Sequence, residues 1–480
     1  MIALILIIFI SQSSCIRLQD TRDESLEHVH PMQTFSARAP FIAFAQNEGF
    51  ITIKGSDKLL QSPQSVTIEW SGISHAASSD LIALYAPADA NPTRVAPVQL
   101  INADVASGGT HSKRGSGSAI FSVLNHRTPT LRFMLLSFPP ESPDRSQVLA
   151  VSPSMLNRII DLPSHGHLTI GEDARSVVVQ WVSGSNQTQG VEYRLNGESP
   201  EVTFTAASSV VSYAKEELCG PPANSFGYIH PGFIHSVTLT MNPADYIVLY
   251  RYGSGAVGWS EERSFKVLPQ ASAEEAIVFL AFNDVSQALN PTLFENPPCP
   301  LGCRRMPWLP WCPPYCGGIE FTSSFGANSK KLPSMLKKED SAHLALMIGD
   351  LSYAMGYVAD WDAFGQQFGE AFRSLPLAIG MGNHERDWPG TGDAFNGLSH
   401  DSGGECGVAV GRRFHTPGHR SYYSFEAGPI HFLIIDSEIP TEPTSPQGHF
   451  ISKDLQSVNK TITPWAVSYT HLTLPTSDLV

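Results

Sequence analysis

Two apolar runs that end in polar motifs constrain this chain more than any other feature. His343-Leu344-Ala345-Leu346-Met347-Ile348 leads into Gly349-Asp350-Leu351-Ser352-Tyr353, and Pro376-Leu377-Ala378-Ile379-Gly380-Met381 leads into Gly382-Asn383-His384-Glu385. Neither run alternates, so each predicts a strand buried on both faces, as in a parallel sheet. Each motif falls where the chain leaves the C-terminal end of its strand, the edge at which open α/β sheets gather ligands. A third run, Ala276 to Phe282, ends at Asn283-Asp284, and a fourth, Ile430 to Ile435, ends at Asp436. Asp, Tyr, Asn and His are hard or borderline metal donors, so the pattern points to a metal-dependent hydrolase.

The chain of 480 residues is long enough for about three domains. Residues 45–153 read as a β-sandwich: Ser65 to Trp70 alternates, and Asp80 to Tyr85 and Leu131 to Leu136 are buried-strand runs between Pro, Gly and Ser turns. A second β module is expected over 160–269, with Ser176 to Trp181 paired to Val191 to Arg194, later strands at Ser236 to Met241 and Tyr246 to Tyr252, and closure at Arg263 to Val267. Trp70 and Trp181 read as core packing. Residues 270–467 alternate strands with helical composition at Leu336 to Asp340 and Trp361 to Arg373. The predicted fold class is multidomain: two N-terminal β-sandwich modules, then an α/β domain that is C-terminally incomplete.

A formal net charge of -14 argues against a general nucleic-acid or anionic-membrane binder. It leaves phosphate esters open, because bound metal ions can supply local positive charge. Residues 1–15 read as a secretory signal, an apolar stretch too short to span a bilayer followed by Ser11, Ser13, Ser14 and Cys15; the alternative is an N-terminal strand. No other stretch is apolar enough to cross a membrane, and the expected location is secreted, extracellular.

Six cysteines follow Cys15, an even number that favours disulfides in a secreted chain. Cys299, Cys303, Cys312 and Cys316 lie in a Pro-rich loop with Trp308 and Trp311; two local disulfides are expected, although the spacing permits zinc. Cys406 either pairs with Cys219 across domains or stays free. Asn186-Gln187-Thr188 and Asn459-Lys460-Thr461 match the N-glycosylation acceptor pattern.

Asp284, Asp350 and Asn383 are oxygen donors at three strand exits. Two metal ions about 3.5–4 Å apart clamp a phosphoryl group for in-line displacement. Asp350, on the central motif, is the natural bridge, and Asn383 binds a divalent ion without adding charge. Tyr353 as a phenolate favours Fe(III), and His384 can protonate a leaving alkoxide. His400, His415 and His419 read as solvated loop residues, and His431 as structural.

Taken together, these motifs resemble the purple acid phosphatases of the calcineurin-like metallophosphoesterases, over residues 60–467. Gly349-Asp350-Leu351-Ser352-Tyr353 with Trp361-Asp362 is similar to the family's second metal motif, and Gly382-Asn383-His384-Glu385-Arg386-Asp387-Trp388-Pro389 to its third. Ser402-Gly403-Gly404-Glu405-Cys406-Gly407-Val408, Tyr422-Tyr423-Ser424-Phe425 and Gly428-Pro429-Ile430-His431-Phe432 resemble its intervening segments. Cys219-Gly220-Pro221-Pro222-Ala223 and His230-Pro231-Gly232-Phe233-Ile234-His235 resemble its fibronectin-like domain, and the extra N-terminal module resembles the large plant-type branch.

The resemblance implies Asp284, Asp350 and Tyr353 around Fe(III), with Asp350 bridging to a second ion, Zn, Mn or Fe, that also takes Asn383. It implies hydrolysis of phosphomonoesters by attack of a metal hydroxide, with His384 at the phosphate or leaving group; nucleotide-sugar pyrophosphates and phytate are further substrates the branch allows. The partners expected are a small phosphate-ester substrate and a second copy of the chain in a homodimer.

Two departures stand out. The family's first motif is Gly-Asp-x-Gly, whereas this chain has Asn283-Asp284-Val285-Ser286, a loop expected to do without glycine-only backbone geometry. The family's last motifs supply three histidines. Here Pro464-Trp465-Ala466-Val467 fits the approach to the first, and His471 falls at the expected ligand offset. Leu472-Thr473-Leu474-Pro475 departs from the family pattern, and no Gly-His-x-His appears, so residues 468–480 are expected to be a non-native tail and the match of His471 a coincidence. The chain as it stands is then expected to hold metal weakly and turn over little. The alternatives are a non-catalytic secreted paralogue that binds phosphate or a partner, and a cell-surface β-sandwich adhesion protein.

Overall fold

Strands Val278–Phe282, Leu344–Ile348 and Leu377–Gly380 lie side by side and parallel, with Leu344–Ile348 in the middle. Their side chains alternate between two cores. Leu280, Phe282, Ala345, Met347, Leu377 and Ile379 face helices Gly326–Leu336 and Val358–Phe372, packing on Trp361, Phe364 and Phe368. Phe279, Ala281, Leu344, Leu346 and Ala378 face the opposite way, onto Phe425, Phe432 and Ile434 of a second sheet made of Tyr423–Ala427, Ile430–Ile434 and Trp465–Tyr469. Two apolar covers explain why these strands show no polar alternation. The computed structural model describes residues 6–10, 31–44, 49–137, 139, 145–173, 175–195, 204–241, 247–286, 326–391 and 400–469.

The central sheet does not stop at Leu377–Gly380. Leu377 pairs with Thr169, so the sheet runs on through Ser164–Ile170, Ser176–Ser183, Phe233–Thr240 and Ser209–Val211, eight strands in all with Leu6–Ile10 at its far edge. Leu6–Ile10 runs parallel to Val278–Phe282.

Two expectations need correcting. Ser176–Ser183 pairs with Ser164–Ile170 and Phe233–Thr240, not with the segment at Val191. Strand Gly190–Leu195 instead pairs with Phe204–Ala207 and Ile247–Ser254 in the opposite sheet of the sandwich. The chain crosses between the two layers after Ser183, and Trp181 and Val191 meet in the core between them. The segment Leu336 to Asp340 starts on the last residue of a helix, Gly326–Leu336, and is otherwise the turn after it. That helix is held by burial of Leu332 and Leu336, which overrides the weak propensity of Gly326, Asn328 and Pro333.

The N-terminal module packs a sheet of Phe50–Lys54, Gln64–Ser71 and Gly117–Val123 on a second built around Leu81–Tyr85 and Thr130–Ser137. Ile68, Leu84, Phe121 and Phe133 fill the space between them. Trp70 and Trp181 are both buried. The module docks through Arg127 and His126, which reach Asp362 on helix Val358–Phe372. Among the described residues, no helix is long and apolar enough to cross a membrane.

Candidate metal centre

The exits of the parallel strands form two interlocked loops. Val285 N donates to Asp350 O (3.0 Å) and Ser286 N to Leu351 O (2.8 Å). Asp284, Ser286, Asp350, Tyr353 and Met355 all have positive φ, at 52°, 59°, 51°, 52° and 46°. Left-handed backbone costs a non-glycine residue about 1–2 kcal/mol, and five such residues on two touching loops is strain concentrated where ligands would bind. Ser286, where the family pattern has glycine, takes a left-handed conformation that an L-residue can reach at a cost.

Three oxygen donors converge. The Tyr353 hydroxyl is shared between Asp284 Oδ1 (2.7 Å) and Asp350 Oδ2 (2.9 Å). Burial first, then the charges of Asp350 and Asp284, push the phenol far above its ordinary pKa and keep it protonated. Asp350 Oδ1 accepts from His384 N (3.1 Å), and the His384 ring lies 4.3 Å from that of Tyr353, centroid to centroid. Two carboxylates crowded around one phenol proton form a donor set that suits a hard trivalent cation. Asn383 donates from Nδ2 to Asp401 Oδ2 (2.9 Å), which turns its carbonyl oxygen, the metal donor of an amide, away from Asp401. Among the described residues no group of three or more His, Cys, Asp or Glu is disposed to hold an ion. His471, Cys299, Cys303, Cys312 and Cys316 lie outside the described residues.

Several residues that hold the centre were not singled out by sequence reasoning. Glu385 is buried and accepts from Asp350 N (2.8 Å), Leu351 N (2.8 Å) and Gly382 N (3.1 Å), so one carboxylate ties the second motif to the third. Its place directly after Asn-His was the available signal. Glu405 accepts from Gly356 N (3.0 Å) and Trp361 Nε1 (3.0 Å). Burial pushes its pKa up to about 7 against the opposing pull of those hydrogen bonds and of Arg413. Cys406 forms a disulfide with Cys219, which answers the open pairing. Gly404 has φ 87°, and a Cβ there would sit 2.2 Å from Gly220 O, so the disulfide loop needs glycine to close.

The other candidates lie apart. Asp436, at the end of the fourth run, faces Arg386 at 3.5 Å. His431 is buried, 2.7 Å from Asp454, in a structural contact. His400 and His419 are exposed; His415 is more enclosed than expected, with Glu172 at 3.5 Å. Asn186 and Asn459 are both exposed.

The family "Purple acid Phosphatase, N-terminal domain" matches residues 163–267. "Probable inactive purple acid phosphatase 1" of Arabidopsis thaliana is 28% identical, over 88% of this chain and 67% of its own. The solved purple acid phosphatase PPD1 from yellow lupin (Lupinus luteus) seeds superposes with a TM-score of 0.73 at 23% identity, covering 89% of this chain and 73% of that one. Residues 163–267 thus carry a purple acid phosphatase N-terminal domain, and the chain as a whole is similar to plant purple acid phosphatases. A further relative, "Probable inactive purple acid phosphatase 27" of Arabidopsis thaliana, is 26% identical over 87% of the chain and 64% of its own length. The chain thus spans about two thirds of the length of these two relatives. A "Nucleotide pyrophosphatase/phosphodiesterase" of Hordeum vulgare is 32% identical over 33% of the chain and 43% of its own.

Proposed function

We propose that this chain carries the oxygen half of a binuclear centre and that its full-length form is a secreted acid phosphatase acting on phosphomonoesters. The observation that carries the reading is the single Tyr353 hydroxyl shared between Asp284 and Asp350. Asp284, Asp350 and Tyr353 would hold Fe(III), and Asp350 with Asn383 a second ion, Zn, Mn or Fe. When bound, such a pair supplies the Lewis acidity that polarises phosphoryl oxygens and acidifies water. The chain's own contribution is positional. Glu385 holds the backbone of Asp350 and Leu351, and His384, its ring tilted against that of Tyr353, delivers a proton to the leaving alkoxide. The Cys219–Cys406 disulfide and the exposed Asn186 and Asn459 support an extracellular setting and N-glycosylation. Nucleotide-sugar pyrophosphates and phytate extend the substrate range in this reading, and the relative from Hordeum vulgare favours the former.

The test is metal content and p-nitrophenyl phosphate turnover of the full-length protein beside Asp350→Asn. Loss of both metal and turnover in the variant is the expected result; equal turnover would overturn the reading.

A second reading is a non-catalytic paralogue that binds phosphate or a partner. The two Arabidopsis relatives whose names carry the word inactive favour it, as does the Asn283-Asp284-Val285-Ser286 loop. Metal bound in full stoichiometry without turnover would select it.

A further inference from the structure

We infer that Asp401 is a positioning residue whose two acceptors set both the amide face of Asn383 and the imidazole tautomer of His384. The inference deepens the proposed function, in which Asn383 is a metal donor and His384 an acid.

Asn383 and His384 are adjacent on the four-residue helix Asn383–Arg386. The oxygen and nitrogen of a carboxamide are close in size, so the partner decides which way it turns. A carboxylate accepts only. Asp401 Oδ2, 2.9 Å from Nδ2, therefore selects the nitrogen edge and leaves the oxygen edge facing elsewhere. A backbone carbonyl also accepts only. Asp401 O, 3.2 Å from His384 Nδ1, therefore requires the proton on Nδ1, so in the neutral ring Nε2 is the basic atom. One residue thus makes the donor atom of Asn383 its oxygen and the proton-exchanging atom of His384 its Nε2.

The placement of Asp401 is itself fixed. Ser402 Oγ donates to Asp387 O (2.7 Å), Gly407 N to Glu385 O (2.7 Å) and Cys219 N to Gly404 O (2.9 Å). The Cys219–Cys406 disulfide fastens the same loop to the fibronectin-like module. That module thereby reaches the centre without contributing a ligand.

The experiment is nitrogen-15 NMR of the full chain labelled at histidine and asparagine, with signals assigned through His384→Gln and Asn383→Gln. In the wild type His384 is expected to carry its proton on Nδ1; a proton on Nε2 overturns the inference without any further variant. In Asp401→Ala the Asn383 side-chain protons are expected to exchange at least about tenfold faster, the loss of one charge-assisted hydrogen bond. Asp401→Asn, which keeps an acceptor oxygen, is expected to exchange within about threefold of wild type. Unchanged exchange in Asp401→Ala, or equal losses in both variants, overturns the inference. In a full-length protein that turns over p-nitrophenyl phosphate, Asp401→Ala should lower kcat more than it raises KM. Absence of turnover in all variants would count against the phosphatase reading alone, because the NMR result stands without catalysis.

Discussion

Arg127 of the N-terminal sandwich and Asp362 of helix Val358–Phe372 form a two-pronged ion pair, with Arg127 Nη2 2.7 and 2.6 Å from the two carboxylate oxygens. Both side chains are almost wholly buried, at 2% and 0% exposure. Burial opposes ionisation of Asp362, but Arg127, the His126 hydrogen bond and His165 together hold its pKa well below the usual carboxylate range. Removing one partner strands a charge in the interior, so Arg127→Ala should cost about 3–5 kcal/mol in urea unfolding. Replacing both residues by apolar ones of similar size should cost far less. Because the folded-state pKa is depressed, the contribution of Asp362 is present above its unfolded pKa near 3.8 and is lost as pH falls below that value.

Glu405 should give the opposite slope. Its folded pKa of about 7 lies above its ordinary 4.5, so the folded chain keeps a proton that the unfolded chain releases. Stability from this group is therefore present below about pH 4.5 and is lost as pH rises to about 7. His165, its pKa lowered to about 3 chiefly by burial, works against this trend over part of the range. The comparison that isolates Glu405 is Glu405→Gln against wild type. The variant should gain relative stability between those two pH values, on the order of 3 kcal/mol, in thermal or urea unfolding across pH.

Ser286→Gly should stabilise the chain. Ser286 sits at φ 59°, where glycine is unstrained. Relief of left-handed strain, about 1–2 kcal/mol, outweighs the added flexibility of unfolded glycine, about 0.5–1 kcal/mol. A gain of about 0.5–1 kcal/mol in denaturant unfolding is expected, and a loss would mean that the serine side chain holds the loop.

Replacing Cys219 and Cys406 together by alanine should lower stability by about 2–5 kcal/mol, since the bond closes a long loop of the unfolded chain. The two cysteines are 187 residues apart. Peptide mapping without reductant should recover the cross-linked pair, and the double variant should reach its urea midpoint at a lower concentration.

The parallel strands and their motifs were legible because strands covered on both faces leave continuous apolar runs, and Asp350, Asn383 and His384 mark where those runs end. The supporting residues were harder to see. Asp401 and Glu405 sit in a Gly-rich polar stretch whose partners lie on other elements, so their roles exist only once the chain has folded around Asn383 and Trp361. The partner of Val191 is hidden in the sequence for a related reason. Strands next to each other in sequence can lie in opposite layers of a sandwich, and only packing around Trp181 decides which. Helix Gly326–Leu336 was placed too late because its first turns lack strong helix formers.

The pairing of Thr169 with Leu377 bears on how the molecule can be divided. A fragment cut to begin after residue 269 would strip Ser164–Ile170 from the flank of Leu377–Gly380 and uncover that edge of the sheet at Leu377. Such a rim invites another chain to bind, so the trimmed piece should clump on expression, and amputations intended to isolate the hydrolase half are better made on the far side of Ser164.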